Sequence, residues 1–257
     1  MSASAPTPHS STPSAHVHTN QQELQAATTA ALAQQGQQAD YAAATQAATH
    51  GTILTPEAKA AEKTWRAQVR AHMKAQRQAL RPEEVTALSQ AVQQKILAHP
   101  FLQQARRIAS YMSFTGEIDT HELNELLKAH EHVVGLPAIV PEQKGIMEFY
   151  RYEGQESLVP NAFKILEPHK DPVTYMAEDS LEVVLVPLVA FNHHTGARIG
   201  MGGGFYDRLL KKIRPECLTI GLAYDFQYVE GINIQAWDMP LDEVMTPTHH
   251  YLIQRKY

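Results

Sequence analysis

A glycine-rich run between Gly196 and Leu210 carries the clearest chemical signal in this sequence. Four glycines, at positions 200, 202, 203 and 204, follow an apolar segment that predicts a strand and precede a segment that predicts a helix. Glycine allows the backbone to adopt positive φ angles and to approach a ligand closely. A helix N-terminus favours phosphate, because its unpaired N–H groups and its dipole both attract an anion. The run therefore predicts a phosphate-binding loop.

Two charged side chains flank the glycines, Arg198 before them and Asp207 after them. A guanidinium binds phosphate oxygens, and a carboxylate supplies the hard oxygen that Mg²⁺ prefers. Two familiar nucleotide motifs fail at Phe205, because a Walker A loop ends in Gly-Lys-Ser/Thr and a dinucleotide fingerprint needs a third glycine there. We therefore expect a phosphate loop of another type. The alternative is a glycine-rich turn that only reverses the chain.

The segments that position this loop alternate between strands and helices. One helix is predicted from Thr55 towards Leu80, and a second from Pro82 to about Pro100, each with a proline in its first turn. Apolar runs then predict strands, at 107–114, 133–136, 147–152, 181–191 and 218–224. Further helices are predicted at 119–129, 205–213 and 227–231.

This order of elements predicts the fold class. Alternating strands and helices indicate an α/β protein, a single-domain layered fold with a mostly parallel central sheet flanked by helices. Asp119 and Glu122 predict a capping box at the start of the helix over 119–129. Ligands bind such sheets at the carboxyl ends of the strands, which is where the glycine run falls.

The first 54 residues differ in composition from the rest of the chain. They are rich in Ala, Gln, Thr and Ser and contain almost no large apolar side chains. Such a segment buries too little apolar surface to offset the entropy of ordering. We interpret residues 1–54 as a disordered extension and residues 55–257 as one folded domain.

Charge and cysteine content exclude several classes of protein. The net charge of −5 argues against a general nucleic-acid binder. Neither a membrane-spanning segment nor the apolar run of a signal peptide stands out. The single cysteine, Cys217, excludes an internal disulfide and fits a reducing compartment, so we expect a cytoplasmic protein in which this thiol is buried.

Two groups of polar side chains are expected to face solvent. Basic residues recur along the first helix, at Arg66, Arg70, Lys74 and Arg77. Two histidine pairs suggest metal ligands, His193-His194 and His249-His250. Adjacent residues of a strand point to opposite faces, so neither pair chelates a metal easily. Surface positions are the simpler interpretation of both groups.

Four blocks of sequence, in order, resemble the 5-formyltetrahydrofolate cyclo-ligase family, whose members are also called 5,10-methenyltetrahydrofolate synthetases. The strongest block joins the apolar segment 185–191 to the glycine run 196–208, and it is similar to the family signature almost letter for letter. Weaker blocks lie at 63–66, 113–120 and 237–242. The resemblance covers roughly residues 58–255, the whole predicted domain.

The resemblance implies an activity and its ligands. The family converts 5-formyltetrahydrofolate to 5,10-methenyltetrahydrofolate with ATP as co-substrate and Mg²⁺, and releases ADP and phosphate. It implies small-molecule partners without nucleic acid or membrane, and we expect a monomer. Two alternatives stay open at this point: a sugar-phosphate isomerase or CoA-transferase-like enzyme on a similar fold, and a non-catalytic binder of folate or nucleotide.

The resemblance also implies roles for individual residues. The catalytic residues would be Arg198 and Tyr206. The ATP site would comprise Lys63, Arg66, Arg198, Ile199, Gly200, Met201, Gly202, Gly203, Gly204, Phe205 and Tyr206. The folate site would comprise Met112, Glu117, Phe163, Phe205 and Tyr206. The metal ligands would be Asp207 and Asp238. The chain departs from the family pattern at Glu62, where a base is usual, and at Phe205, where a tyrosine is common.

Overall fold

The computed structural model describes residues 55–162 and 164–253. The predicted disorder of residues 1–54 and the folate contact predicted for Phe163 lie outside them. Four α-helices are described: α1 Pro56–Ala79, α2 Pro82–Leu97, α3 His121–Ala129 and α4 Phe205–Leu210. The strands are β1 Arg107–Ala109, β2 Val133–Ile139, β3 Met147–Arg151, β4 Leu158–Pro160, β5 Leu166–Pro168, β6 Tyr175–Met176, β7 Val183–Pro187, β8 Ala190–Phe191, β9 Arg198–Ile199, β10 Leu218–Leu222, β11 Glu243–Met245 and β12 His250–Leu252.

The central sheet has eight strands in the order β12-β11-β10-β7-β1-β2-β3-β6. The five strands from β11 to β2 in this order pair in parallel. The remaining pairings are antiparallel: β12 with β11, β3 with β2, and β6 with β3. Two small hairpins, β4–β5 and β8–β9, lie outside the sheet. The predicted fold class, α/β with a mostly parallel sheet, is confirmed.

Side chains on the two faces of the sheet pack against different helices. Along β7, Val183 and Leu185 join the core of α2 and α3, whereas Val184 and Val186 join the core of α4. This alternation follows from the two-residue period of a strand. Burial on both faces explains the nearly continuous apolar run of this strand. Cys217 is buried, as predicted, in the core on the α4 side.

Helix α1 begins as the sequence predicts and reaches over the glycine run. The Thr55 hydroxyl accepts a hydrogen bond from the N–H of Ala58 at 3.2 Å, and Pro56 occupies the first turn. Val69 and Met73 pack in a separate apolar cluster with Ala190 and Ile199 of the β8–β9 hairpin. This packing fixes one face of α1 against the strand that leads into the glycines.

Three local predictions were wrong in detail. Strand β1 ends at Ala109, earlier than predicted, and the chain continues as a loop to α3. The capping box at Asp119 is absent; its Oδ1 instead accepts the N–H of His121 at 2.9 Å, which starts the helix two residues later. The predicted helix at 227–231 is a single 3₁₀ turn, Asp225–Gln227. No helix in the described part of the chain is long and apolar enough to span a membrane.

Candidate active site

A cavity of about 620 Å³ opens at the carboxyl ends of β1 and β7. The segment after β1 supplies Met112 and the end of β7 supplies Pro187. The glycine run and one face of α1 form its polar end. Its apolar end is lined by Pro137, Ile139, Met147, Ile165 and Leu166. One cavity therefore offers both a polar, cationic surface and an apolar surface.

The glycine loop connects β9 to α4 along the wall of this cavity. Gly202 and Gly204 have φ angles of 97° and 70°, which L side chains rarely adopt, and Gly204 caps α4. A Cβ atom added to Gly200 would meet nothing within 4 Å. Gly200 therefore keeps open space beside the backbone, which a ligand can approach.

Arg198 is buried behind the loop and lines the cavity. Its Nη2 donates to Oδ1 of Asp207 at 2.5 Å, and its Nη1 donates to the backbone oxygen of Met239. Burial lowers the pKa of the guanidinium, and the nearby carboxylates of Asp207 and Asp238 oppose that shift. Both carboxylates therefore help to keep this cation charged next to the glycines.

Two residues of the basic stripe of α1, Arg66 and Arg70, face the cavity, which corrects the expectation of a solvated face for them. Lys63, Arg66 and Arg70 line the cavity together with Lys59, because the packing of α1 on the β8–β9 hairpin turns this face inward. Nε of Arg70 donates to the carbonyl of Gly200 at 2.8 Å. Lys74 is exposed as expected, whereas Arg77 is buried in the protein.

The two predicted metal ligands, Asp207 and Asp238, both line the cavity. Oδ2 of Asp238 accepts from Nη2 of Arg66 at 3.0 Å and from the N–H of Gln235 at 3.0 Å. Within the described residues, Oδ2 of Asp207 and Oδ1 of Asp238 have no hydrogen-bond partner. Two carboxylates with one open oxygen each fit Mg²⁺, which binds few protein carboxylates and keeps waters and phosphate oxygens.

Glu117 is buried at the cavity wall, where it is 7 % exposed. Burial raises the pKa of its carboxyl to about 7, while the positive charge of Arg77 and the N–H of Phe114 oppose the rise. Tyr206 also lines the cavity, and burial raises the pKa of its hydroxyl far above the usual value. The phenol therefore stays protonated and can donate a hydrogen bond to a ligand.

The cavity brings together every predicted site residue in the described part of the chain except Ile199. The side chain of Ile199 is fully buried in the cluster under α1. Several lining residues were missed: Lys59, Glu62, Arg70, Tyr111, Phe114, Asn161, Ile165, Leu166, Glu167 and Trp237. The helical spacing of Lys59, Lys63, Arg66 and Arg70 could have predicted a shared face. Nothing in the sequence links the β4–β5 hairpin to the glycine loop.

A cluster of His99, Glu243 and His250 is the one group of three His, Cys, Asp or Glu side chains in the described ranges whose ligand atoms lie close enough together to hold a metal ion. Nε2 of His99 lies 3.2 Å from Oε2 of Glu243, and Nε2 of His250 lies 2.7 Å from the same atom. Nδ1 of His99 accepts the N–H of Phe101 at 3.2 Å, which leaves the ring proton on Nε2. Because a protonated Nε2 cannot ligate a metal, the cluster is a hydrogen-bond network.

The two histidine pairs differ from each other. His193 and His194 lie in the turn between β8 and β9, and their ring centres are 3.9 Å apart, so the strand argument does not apply to them. His249 stacks on Tyr251, whereas His250 contacts Glu243. In the part of the chain that the structure describes, His250 belongs to the cluster with His99 and Glu243, whereas His193, His194 and His249 belong to no group of three possible metal ligands.

Comparison with known proteins identifies relatives of this chain in sequence and in fold. Residues 62–247 match the model of the 5-formyltetrahydrofolate cyclo-ligase family. The 5-formyltetrahydrofolate cyclo-ligase of Escherichia coli K12 is 38% identical over 173 residues, which cover 67% of this chain and 94% of that protein. The Haemophilus influenzae protein of the same name is 36% identical, over 63% of this chain and 89% of that protein. The NMR structure of Aquifex aeolicus 5,10-methenyltetrahydrofolate synthetase superimposes with a TM-score of 0.64 at 28% identity, over 75% of this chain and 94% of that one.

Proposed function

This chain belongs to the 5-formyltetrahydrofolate cyclo-ligase family, and on that premise we propose that it converts 5-formyltetrahydrofolate to 5,10-methenyltetrahydrofolate with ATP and Mg²⁺. The observation that carries the proposal is the cavity itself. Its basic, glycine-lined end suits a triphosphate, and its apolar end with the buried carboxyl of Glu117 suits a reduced pteridine. No observation favours a sugar-phosphate isomerase or a CoA-transferase-like enzyme.

The reaction needs activation of a poorly reactive formyl group. Its oxygen is a poor leaving group until the γ-phosphoryl group of ATP is transferred to it, which gives an imidate phosphate ester. N10 of the folate then attacks the activated carbon, and phosphate leaves as the ring closes. The protein contributes to the first step mainly by positioning the reactants and stabilising charge.

The glycine loop and α1 would bind ATP. Backbone N–H groups from Gly200 to Gly204 would hold the phosphates, with Lys63 and Arg66 contacting the nucleotide from the helix. Arg198 would stabilise the charge that develops as the phosphoryl group is transferred. Asp207 and Asp238 would hold the magnesium ion, which when bound neutralises charge on the phosphate oxygens.

The apolar end would bind the folate. The Glu117 carboxylate would accept hydrogen bonds from N–H groups of the pteridine, and Met112 and Phe205 would cover its faces. The hydroxyl of Tyr206 would donate to the reacting oxygens, because its raised pKa keeps it protonated. A contact from Phe163 stays a prediction.

One assay tests the proposal. The protein is incubated with 5-formyltetrahydrofolate, ATP and Mg²⁺, and the methenyl chromophore is followed in the near ultraviolet together with ADP release. We expect product and ADP in equal amounts, and no product when ATP is omitted or Mg²⁺ is chelated. Folded protein that binds both ligands without forming product would contradict catalysis and indicate a binding protein instead.

Two wider statements also stay proposals. A cytoplasmic location is supported by the single buried Cys217, which needs no oxidising compartment. A monomer is supported by the cavity, whose polar and apolar ends are both built from one chain.

A further inference from the structure

A buried ion pair lies behind the wall of the cavity, between α1 and the loop before α3. Nη1 of Arg77 is 3.6 Å from Oε1 of Glu117, and their side chains are 1% and 6% exposed. Glu117 lines the cavity, whereas Arg77 is not among its lining residues. Arg77 therefore acts on a bound ligand through the residues that line the cavity, and among these Glu117 carries the charge opposite to its own.

The guanidinium of Arg77 has few other interactions. Its Nε and Nη1 atoms are buried without a hydrogen-bond partner in the described residues. The separation of 3.6 Å is too long for a hydrogen bond, so the contact with Glu117 is electrostatic. A buried cation is costly without an opposite charge close by. Arg77 and Glu117 thus neutralise each other's buried charge.

The backbone around Glu117 packs against α1, the helix that carries Arg77. Gly116 has a φ of 70°, and a Cβ atom there would lie 3.1 Å from the carbonyl oxygen of Arg77. The N–H of Phe114 donates to Oε2 of Glu117 at 3.3 Å, and the hydroxyl of Tyr224 donates to its backbone oxygen at 3.1 Å. The loop therefore packs directly on the residue that neutralises its carboxylate.

We propose that Arg77 is a positioning residue that holds the Glu117 side chain in place and ionised, ready to accept hydrogen bonds from N–H groups of the reduced folate. The inference rests on the proposed function, because it concerns the folate end of the same cavity. It assigns a role to a side chain that the sequence places on a solvated stripe.

The charges around Glu117 make this role specific to Arg77. Three phenols also face the carboxyl, those of Tyr111, Tyr206 and Tyr224, and burial raises the pKa of each, so all are neutral near pH 7. Arg77 is thus the positive charge that opposes the burial of Glu117, whose pKa is raised to about 7. Without Arg77 the pKa of Glu117 would rise further, and less carboxylate would be present at neutral pH.

Folate binding measured against pH tests the proposal. Calorimetry with 5-formyltetrahydrofolate and without ATP is carried out between pH 6 and pH 9 on the wild type and on Arg77→Met. We expect the variant to bind about fivefold more weakly at pH 7 and to recover by pH 9, because a further rise of about one pKa unit lowers the ionised fraction of Glu117 at pH 7 from about a half to about a tenth. Its ATP affinity should not change.

Matched variants separate electrostatics from packing. Arg77→Lys keeps the charge and should restore the wild-type pH dependence, and Arg151→Met removes an exposed arginine that pairs with Glu153 and should change nothing. If Arg77→Met does not fold, Arg77→Gln carries the same expectation. The double variant with Glu117→Gln removes both charges and should lose the recovery at high pH.

The outcomes distinguish this inference from the proposed function. A neutral variant whose binding is weakened equally at every pH, or is not weakened, overturns the role of Arg77. A folded wild type that binds no 5-formyltetrahydrofolate at any pH overturns the proposed function instead. Carbon-13 NMR of the Glu117 carboxyl, assigned with Glu117→Gln, gives an independent readout, and its pKa must be higher in the neutral variant.

Discussion

Two arginine–carboxylate pairs line the cavity, and a third reaches it from behind the wall. Arg198 contacts Asp207, Arg66 contacts Asp238 and Arg77 contacts Glu117. The first two pairs lie at the polar end, where the phosphate oxygens of the proposed ATP would compete with the carboxylates for the same guanidinium groups. A carboxylate released in this way has an oxygen available for a cation. In the proposed function, these two pairs would neutralise each other before ATP binds and would then open to hold a triphosphate with its magnesium ion.

Replacement of Arg198 should reduce both turnover and stability. Arg198→Ala removes a preorganised charge from the phosphoryl-transfer step, which is worth about 3 kcal/mol or roughly a hundredfold in kcat. It also leaves Asp207 without its partner and the carbonyl of Met239 without its donor, so Tm should fall. Steady-state kinetics and thermal unfolding measure the two effects. Lys212→Ala, which breaks an exposed pair with Glu178, is the control. A near-normal kcat would remove Arg198 from phosphoryl transfer.

The raised pKa of Glu117 predicts how stability changes with pH. Its folded-state pKa is about 7 instead of the usual 4.5, so the native protein binds an extra proton between these values. The stability that Glu117 contributes is therefore fully present below about pH 4.5 and is lost as pH rises through about 7, by at most about 3 kcal/mol. Urea unfolding from pH 5.5 to 8 should show a steeper decline for the wild type than for Glu117→Gln. If the wild type and Glu117→Gln lost stability in parallel over this pH range, the titrating group would not be Glu117.

Gly200 in the glycine loop permits a substitution that has little steric effect on the protein without ligand. A Cβ at Gly200 meets nothing within 4 Å and its φ is ordinary, so Gly200→Ala should leave Tm nearly unchanged. The methyl group would occupy space that the proposed ATP phosphates approach, so we expect the ATP affinity to fall at least roughly tenfold, about 1.4 kcal/mol. Calorimetry with ATP measures this change. Unchanged affinity would mean that the nucleotide does not approach this part of the loop.

Gly204→Ala provides the contrasting case. Gly204 has a φ of 70°, so a side chain there strains the backbone of the loop itself, whereas its 2.7 Å approach to Nη1 of Arg208 can be relieved by moving that flexible side chain. We expect a loss of stability of about 1 kcal/mol or more before any ligand is added, because L residues rarely adopt this conformation. Thermal unfolding should therefore separate the two variants.

Lys95 connects α2 to the turn before β12. Its Nζ donates to the backbone carbonyls of Thr246, Pro247 and His249 at 2.7, 2.8 and 3.3 Å. Hydrogen bonds from a charged donor contribute about 1.5–3 kcal/mol. Lys95→Met keeps the apolar stem and should lower the free energy of unfolding by about that amount, with kcat unchanged because Lys95 is not among the residues that line the cavity. Urea denaturation measures the loss, and an unaltered midpoint would contradict it.

The elements were predictable where local signals were strong. Thr55 and Pro56 locate the start of α1, and the apolar run containing Val183–Pro187 locates the central strand. The prediction failed at Asp119, whose side chain has two roles: it accepts the His121 N–H and contacts the hydroxyl of Ser113. Hydrogen bonds of the tertiary structure determine where such a helix begins, and these hydrogen bonds cannot be inferred from the spacing of residues alone.

For the molecule as a whole, the sequence predicted the glycine loop and its acidic and basic neighbours because these follow each other in the chain. Residues far apart in sequence were missed when their roles depend on packing. Arg77 follows the same helical spacing as Arg70, yet it is buried under the Glu117 loop while Arg70 lines the cavity. A helix shows which residues share a face, and only the tertiary fold shows what each part of that face contacts.

The composition of the extension predicts that the domain alone carries the activity. Removal of residues 1–54 leaves Thr55, whose hydroxyl caps α1, so Tm and kcat should match those of the full chain. Removal of residues 1–63 instead deletes that cap and the cavity residues Lys59, Glu62 and Lys63. The cap alone is worth about 1 kcal/mol, so the longer deletion should lower Tm and weaken ATP binding together. Thermal unfolding and the cyclisation assay, carried out on both truncated proteins, test these two expectations. A large loss on the first deletion would mean that the extension contributes to the domain, because every described contact of α1 is retained in that variant.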